Sequence, residues 1–317
     1  MRVSEMRIAV LAGGSSSERE ISLASGQNAT RALQTAGFGY VELLDTAATD
    51  FVARITTEHW DTAFLALHGA GGEDGIIQGF LEFIGLPYTG SDVAASVACA
   101  DKDLAKLLYS KAGIPTPPSV AIVKDESYDV ETIILNLGDQ CFVKPADNGS
   151  SYGITLVKDG RYLDAAIRKA FEYGDKVLVE KRVCGTEVTV GVLDTGDLRA
   201  LPVVEVCCEN EGAEFYDLNV KYIDPAKIHR IPAEISEENN LMVQGLACRA
   251  HRALGCSGLS RSDFIVTDDG PVILETNSIP GMTDASLFPD EIAHTGDLTF
   301  PEACAQLIHA ARRRAGL

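Results

Sequence analysis

The feature that most constrains this chain is an alternation near its start. Residues 7–12, RIAVLA, read as a strand whose apolar run, 8–12, ends at Gly13-Gly14 and three serines. Helical spacing of apolar residues follows from about residue 18 to 36, then strand-length runs at 41–44 and 62–67 with a helical stretch between them. A strand that is apolar throughout must be covered on both faces, and intervening helices supply the covers. The pattern predicts a parallel sheet with helical crossovers.

The pattern then changes. Three prolines crowd into KAGIPTPPSVAIV, residues 111–123, which reads as a boundary. CFVKP, the turn DNGSSYG and ITLV predict a hairpin, followed by a helix over 162–173 and the strands KVLVEK and TEVTVGVL. Residues 207–225 lack periodicity and read as a long loop, a kind of segment that in compact domains is usually functional. A helix over 236–254, strands at 259–266 and 272–275, the polar loop TNSIPGMTDAS and a helix over 301–314 complete the chain. The fold class expected is α/β followed by α+β, with domains packed around a cleft.

Composition narrows the partners. The 27 basic and 46 acidic residues leave a formal charge of −19, which repels nucleic acid and anionic lipid but permits a nucleotide in a pocket with local lysines. None of the eight cysteines forms a C-x-x-C pair, and several sit in apolar runs, so reduced thiols are expected. MRVSEMRIAVLAGG has neither the apolar stretch nor the cleavage site of a secretory leader, and no run reaches membrane-span length. A cytoplasmic protein, with no membrane or nucleic-acid partner, is expected.

Five constellations carry chemistry. Two glycine-rich loops, AGGSSSEREIS and LHGAGGEDGIIQG, end predicted strands and would face one crevice. Taken singly, Glu18 is an acidic residue favoured by a helix dipole and His68 a hydrogen-bonded loop histidine, while Glu73 and Asp74 are placed to cap the next helix. The first loop lacks a complete G-x-G-x-x-G, so a dinucleotide fold is unsupported. Lys102 opens a helix, where a solvated charge is the ordinary reading. Lys144 lies in an apolar strand, where an ammonium is costly without an anion, and with the glycine-serine turn it reads as a phosphate clamp. Glu180 and Glu187 stand at strand ends, where a nucleotide contact competes evenly with a solvated turn charge. Glu275 and Asn277 share one strand face. If their strand pairs with that of Asp263, the three form a hard-ligand set suited to Mg²⁺, with Arg261 placed to meet developing negative charge.

In order along the chain, GGSSSEREIS, HGAGGEDGIIQG, LPYTGS, FVKPADNGSS, FYDLNVKY, SRSDF and ETNSIPGMTDAS resemble the motifs of the D-alanine–D-alanine ligases, over about residues 7 to 290. The resemblance implies an ATP-grasp fold with an N-terminal domain at 1–101, a central subdomain at 102–188 and a C-terminal catalytic subdomain at 189–317. It places Glu18 on the ammonium of the first D-alanine and His68 near that subsite. Lys102, Lys144, Ser150 and Ser151 would lie at the ATP phosphates, and Glu180, Val183 and Glu187 at the adenine and ribose. Asp263, Glu275 and Asn277 would hold two Mg²⁺ ions, for which Mn²⁺ could substitute. Arg261 and the Gly281 N–H would steady the tetrahedral intermediate, with Ser286 at the second subsite. A Ser150–Tyr222 link would close the loop, and the assembly expected is a homodimer. Three features depart from the pattern: Leu218 replaces a tyrosine, Tyr152 replaces a small apolar residue, and the pair Cys207-Cys208 stands before the stretch where the family varies.

The activity implied is ATP-dependent joining of two D-alanines through an acyl phosphate, for peptidoglycan precursor synthesis. The alternatives are a sister ligase making another dipeptide or a D-Ala-D-lactate ester, a nucleotide-binding regulator, and an oxidoreductase. Lys221-Tyr222 counts against the ester, the Asp263–Glu275–Asn277–Arg261 set against the regulator, and the incomplete glycine motif against the oxidoreductase.

Overall fold

The computed structural model describes residues 2–147, 153–207 and 229–317. The expected parallel sheet is present. β1 (Arg7–Ala12) lies between β2 (Tyr40–Asp45) and β3 (Thr62–Leu65), parallel to both. Ile8 to Ala12 are fully buried, as a run apolar at every position requires. The crossovers are α1 (Arg19–Thr35) and α2 (Phe51–Thr57). α3 (Ile76–Phe83), α4 (Val93–Ala100) and α5 (Lys102–Lys111) follow, and the Asp101 carboxylate caps α5 by accepting from the Asp103 and Leu104 N–H groups.

The middle of the chain is a four-stranded antiparallel sheet in the order β4-β7-β5-β6. Its strands are β4 (Ser119–Val123), β5 (Cys141–Pro145), β6 (Thr155–Val157) and β7 (Lys176–Lys181). α6 (Val130–Leu137) and α7 (Leu163–Ala170) cover it through Ile133, Leu137, Leu163 and Ile167. α7 is shorter than the predicted 162–173 helix: Tyr162 belongs to a 3-10 turn at Gly160–Tyr162, and the helix ends at Ala170 with Phe171 as its C-cap.

The third sheet runs β11-β10-β8-β12-β13, with β9 paired to β8. It comprises β8 (Thr186–Asp194), β9 (Leu198–Ala200), β10 (Val204–Val206), β11 (His229–Arg230), β12 (Gly258–Thr267) and β13 (Gly270–Asn277). α8 (Glu237–Leu254) packs on it, capped by the Ser236 hydroxyl and ended at Gly255, whose φ of +75° costs glycine no Cβ clash. α4 and α5 share this core through Cys99, Ala105 and Tyr109. α9 (Leu287–Ala293), which the polar-loop reading did not anticipate, precedes α10 (Phe300–Arg314).

α10 opens with a Thr299–Glu302 capping box and packs on α1 and β3. Its buried Leu307 and Ile308 join Leu11, Leu33 and Leu65 in one core, so the end of the chain closes the first sheet. Burying each of those two side chains contributes roughly 1.5–3 kcal/mol. All seven described cysteines are free, and Cys99 and Cys256 lie with sulfurs 3.4 Å apart. Among the described residues no helix is long and apolar enough to cross a membrane.

Candidate active site

The two glycine N–H groups of the first loop are used within the domain. Gly13 N–H donates to the Ser22 hydroxyl and Gly14 N–H to Asp45 Oδ1. A Cβ on Gly13, whose φ is +77°, would sit 2.3 Å from Asp45 Oδ1. Arg19 grips the same Asp45 carboxylate through two nitrogens, and this hydrogen bonding holds it at about 2 against the opposing cost of burial. The loop is thus closed on itself, and its product is the placement of Glu18 at the head of α1.

The second loop turns its acid inward. Glu73 does not cap α3 as expected; its Oε2 accepts from Gly69 N–H at 2.7 Å, back across the loop. Asp74 accepts from Gly71 and Ile76 N–H groups instead. Glu73 thereby meets Glu18 and His68, with one ligand atom from each within 4.8 Å of the others. Burial pushes the Glu73 carboxyl up to about 8, and the nearby charges of Glu18 and Glu275 add to this while Gly69 N–H and Arg261 oppose it. Burial, aided by the Arg261 charge, lowers His68 to about 4, so its imidazole is neutral near pH 7. The three side chains together form an acidic cup. Sequence reasoning had not placed Glu73 in it, because nothing in a Glu-Asp pair before a helix says which acid folds back.

Arg261 connects the cup to the metal-type residues. β12 and β13 pair with Asp263 opposite Glu275 and Arg261 opposite Asn277, so the four stand together as the alternation predicted. Arg261 Nε and Nη2 donate to the two oxygens of Asp263 at 3.0 and 2.9 Å. Thr189 and Asn277 also donate to that carboxylate. Lys102 Nζ lies 3.3 Å from Glu275 Oε2. Lys102 is buried, not the solvated helix charge of the ordinary reading.

One turn along α5, Lys106 reaches a second carboxylate. Lys106 and Lys144 flank Glu180 at 2.6 and 2.8 Å, all three buried. Burial opposes ionisation of Glu180, but the two ammonium charges outweigh it and hold the carboxyl below its ordinary value. Glu180 is therefore no solvated turn charge, and it supplies the anion that Lys144 needs. Two lysines on one carboxylate leave a net positive pocket. Lys106 was missed in the sequence, where it looks like any helix lysine; only its i, i+4 relation to Lys102 hinted that both share a face.

Gly281 and Ser286 meet at the start of α9. A Cβ on Gly281 would lie 2.8 Å from Ser286 Oγ, which also accepts from Thr283 N–H. Glu187 lies on β8 opposite Ile265, and Val183 on the link between β7 and β8, both partly buried. Ser150, Ser151, Tyr152, Cys208, Leu218 and Tyr222 lie outside the described residues.

A buried acid supports this end of the site. Glu291 on α9 is fully buried, and its Oε1 accepts from Gly191 N–H on β8, opposite Arg261. Burial raises it from 4.5 to about 8; Asp263 and Asp290 add to this, while Gly191 N–H and Arg261 oppose it. Between those values the native chain keeps a proton that the unfolded chain has lost, so stability falls as pH rises through this window. Glu291→Gln removes the titration. The melting temperature of the wild type should drop relative to the variant by on the order of 5 °C from about pH 5 to about pH 8. A gap that stays constant with pH would refute it.

The donor chemistry fits a hard divalent cation. Asp263, Glu275 and the Asn277 amide oxygen are oxygen donors on adjacent strands, and both carboxylates already attract cationic side chains.

Comparison with known proteins gives the family. The family described as D-ala D-ala ligase N-terminus matches residues 42–91, and D-ala D-ala ligase C-terminus matches residues 108–309. A D-alanine–D-alanine ligase from Anaeromyxobacter sp. is 43% identical over 98% of both chains. One from Syntrophobacter fumaroxidans is 40% identical over 98% of this chain and 99% of its own. The structure of a D-alanine–D-alanine ligase from Bacillus anthracis complexed with ATP superposes with a TM-score of 0.84 at 30% identity, covering 98% of this chain and 99% of that one. That of the Coxiella burnetii ligase superposes with a TM-score of 0.83 at 28% identity, covering 98% and 95%. With most of its length matched at such identity, this chain belongs to the D-alanine–D-alanine ligase family.

Proposed function

We propose that the chain joins two D-alanines into D-alanyl-D-alanine at the expense of ATP, as a step in peptidoglycan precursor synthesis. The observation that carries this is the order of charge through the site. The acidic cup of Glu18, His68 and Glu73 feels Arg261; Arg261 holds Asp263; Asp263 pairs across the sheet with Glu275; Glu275 meets Lys102; and Lys102 shares a helix face with the Lys106–Glu180–Lys144 pocket. An amino acid held by its ammonium in the cup would point its carboxylate toward Arg261. A triphosphate in the lysine pocket would point its terminal group toward the carboxylate strands.

The chemistry follows from that order. A carboxylate oxygen is a poor leaving group, so the first D-alanine must be activated by taking the γ-phosphoryl group of ATP. The amine of the second D-alanine, once its ammonium has given up a proton to solvent, then attacks the acyl carbon, and phosphate leaves as the intermediate collapses to the amide. Magnesium, with manganese as a substitute, would offset charge on the phosphates when held by Asp263, Glu275 and Asn277. Lys102 and Lys144 steady the phosphates. Arg261 and the Gly281 N–H face the charge that develops on the tetrahedral carbon, and Ser286 receives the second amino acid. Ser150 and Ser151 would contact the phosphates, a Ser150–Tyr222 link would close the site against water, and Glu180, Val183 and Glu187 would hold the nucleoside. The three-part division at residues 101 and 188, a homodimer and a cytoplasmic location complete the reading.

Mass spectrometry of products from ATP, Mg²⁺ and a panel of D- and L-amino acids with D-lactate tests it. The expected product is D-alanyl-D-alanine with one phosphate per dipeptide. A preferred ester or another dipeptide would replace this reading with that of a sister ligase.

A further inference from the structure

The loop that carries Gly281 is held from the other end of the molecule. Met282 has both of its backbone polar groups bound by side chains of α1. Its N–H donates to the Ser25 hydroxyl at 3.2 Å, and its carbonyl accepts from Asn28 Nδ2 at 2.8 Å. Ser25 and Asn28 are three residues apart, so they project from one face of the helix. Ser25 is fully buried and Asn28 nearly so.

The same serine also meets the acidic cup. The His68 ring lies near the Ile279 backbone, which favours its protonated form, and its Nε2 lies 2.9 Å from the Ser25 hydroxyl. The Ser25 hydroxyl thus accepts from Met282 N–H and shares a second hydrogen bond with the imidazole, whose direction follows the tautomer. The segment is therefore bound at Met282 N–H and at Met282 carbonyl, on the residue that follows Gly281. Asn28 Oδ1 in turn accepts from Arg31 at 3.1 Å, and Arg31 reaches Asp284 at 3.4 Å, extending the contact past the loop. Every one of these bonds joins α1 to a segment more than 200 residues later in the chain, except the local Arg31–Asn28 and Ser25–His68 links.

We propose that Ser25 and Asn28 are positioning residues that, through Met282, hold the Gly281 peptide in register with the first amino-acid subsite. The inference rests on the functional reading above, in which Gly281 N–H steadies the tetrahedral intermediate. The physical reason is reach. A backbone N–H stabilises developing charge only over a narrow range of distance and angle, and a loop of this kind has no ladder of its own to set them. Two buried side chains on a rigid helix set them instead. The same serine touches His68, so the helix that heads the acidic cup also sets the donor on the far side of the reacting carbon.

Asn28→Asp is nearly isosteric and can keep the Arg31 contact, but places a carboxylate oxygen against the Met282 carbonyl. Ser25→Ala removes the hydroxyl with little change of volume. Both variants should lower kcat for dipeptide formation by about tenfold to a hundredfold, with the KM for ATP within about twofold of wild type. Affinity for a tetrahedral phosphinate dipeptide analogue should fall in parallel with kcat/KM, while the dissociation constant of ATP stays put. A purely structural role would instead lower the melting temperature and affect ATP and D-alanine parameters alike, and that result overturns the proposal. Variants that match the wild type in rate and analogue affinity overturn it as well. A wild-type protein that forms no dipeptide overturns the functional reading and the tether together, whereas an active wild type with equally active variants overturns the tether alone.

Discussion

Asp263→Asn and Glu275→Gln should each lower dipeptide turnover by on the order of 10²–10³-fold while leaving the fold in place. The two carboxylates face each other across β12 and β13, and each holds a cationic side chain, Arg261 on Asp263 and Lys102 on Glu275. An amide keeps the size of the side chain and removes the charge. It loses affinity for a hard divalent ion and frees Arg261 or Lys102 to move off its position. Neither residue is a core apolar group, so the cost in stability should be modest; breaking a part-exposed pair is worth about 1 kcal/mol or less. Steady-state rates across a Mg²⁺ titration, with circular dichroism to check folding, decide the matter. Both variants turning over near the wild-type rate at saturating Mg²⁺ would remove these residues from the metal role.

Lys144→Ala should weaken ATP binding by about tenfold to a hundredfold and leave D-alanine binding nearly unchanged. Glu180 sits between two lysines, which makes the pocket positive by one charge; deleting Lys144 makes it neutral. An incoming polyphosphate then meets no net attraction there. The variant also leaves buried Glu180 with Lys106 alone, and loss of a partner from a buried ion pair can cost on the order of 3–5 kcal/mol. Thermal melts should therefore accompany isothermal titration, and Lys144→Arg separates the effects by keeping the charge beside Glu180. Unchanged nucleotide affinity in a folded Lys144→Ala protein would contradict the clamp.

Much of the scaffold could be read directly. β1, β5 and β7 lie where the apolar runs placed them, and the caps Asp101, Ser236 and Thr299 stand where local chemistry prefers them. Period-two alternation put Glu275 and Asn277 on one face, and the pairing with Asp263 followed once the strands were antiparallel neighbours. These features depend on a few adjacent residues, so a linear reading reaches them. The helix at Leu287–Ala293 was not legible, because seven residues interrupted by a proline carry too little periodicity.

What the chain alone determines, then, is strands, helices, glycine turns and the residue types of the site. The partners of its charges were decided by the tertiary structure. Lys102, Lys106, Glu73, Glu180 and Glu291 each look like surface charges in isolation, yet all are buried or turned inward, and each is answered by a group far along the chain or across a loop. The Ser25–Asn28 hold on Met282 spans more than 250 residues. Burial raises the energetic stake of every unpaired polar group, so these groups take whichever partner the packed sheets bring near. That choice is a property of three-dimensional proximity, and no local pattern encodes it.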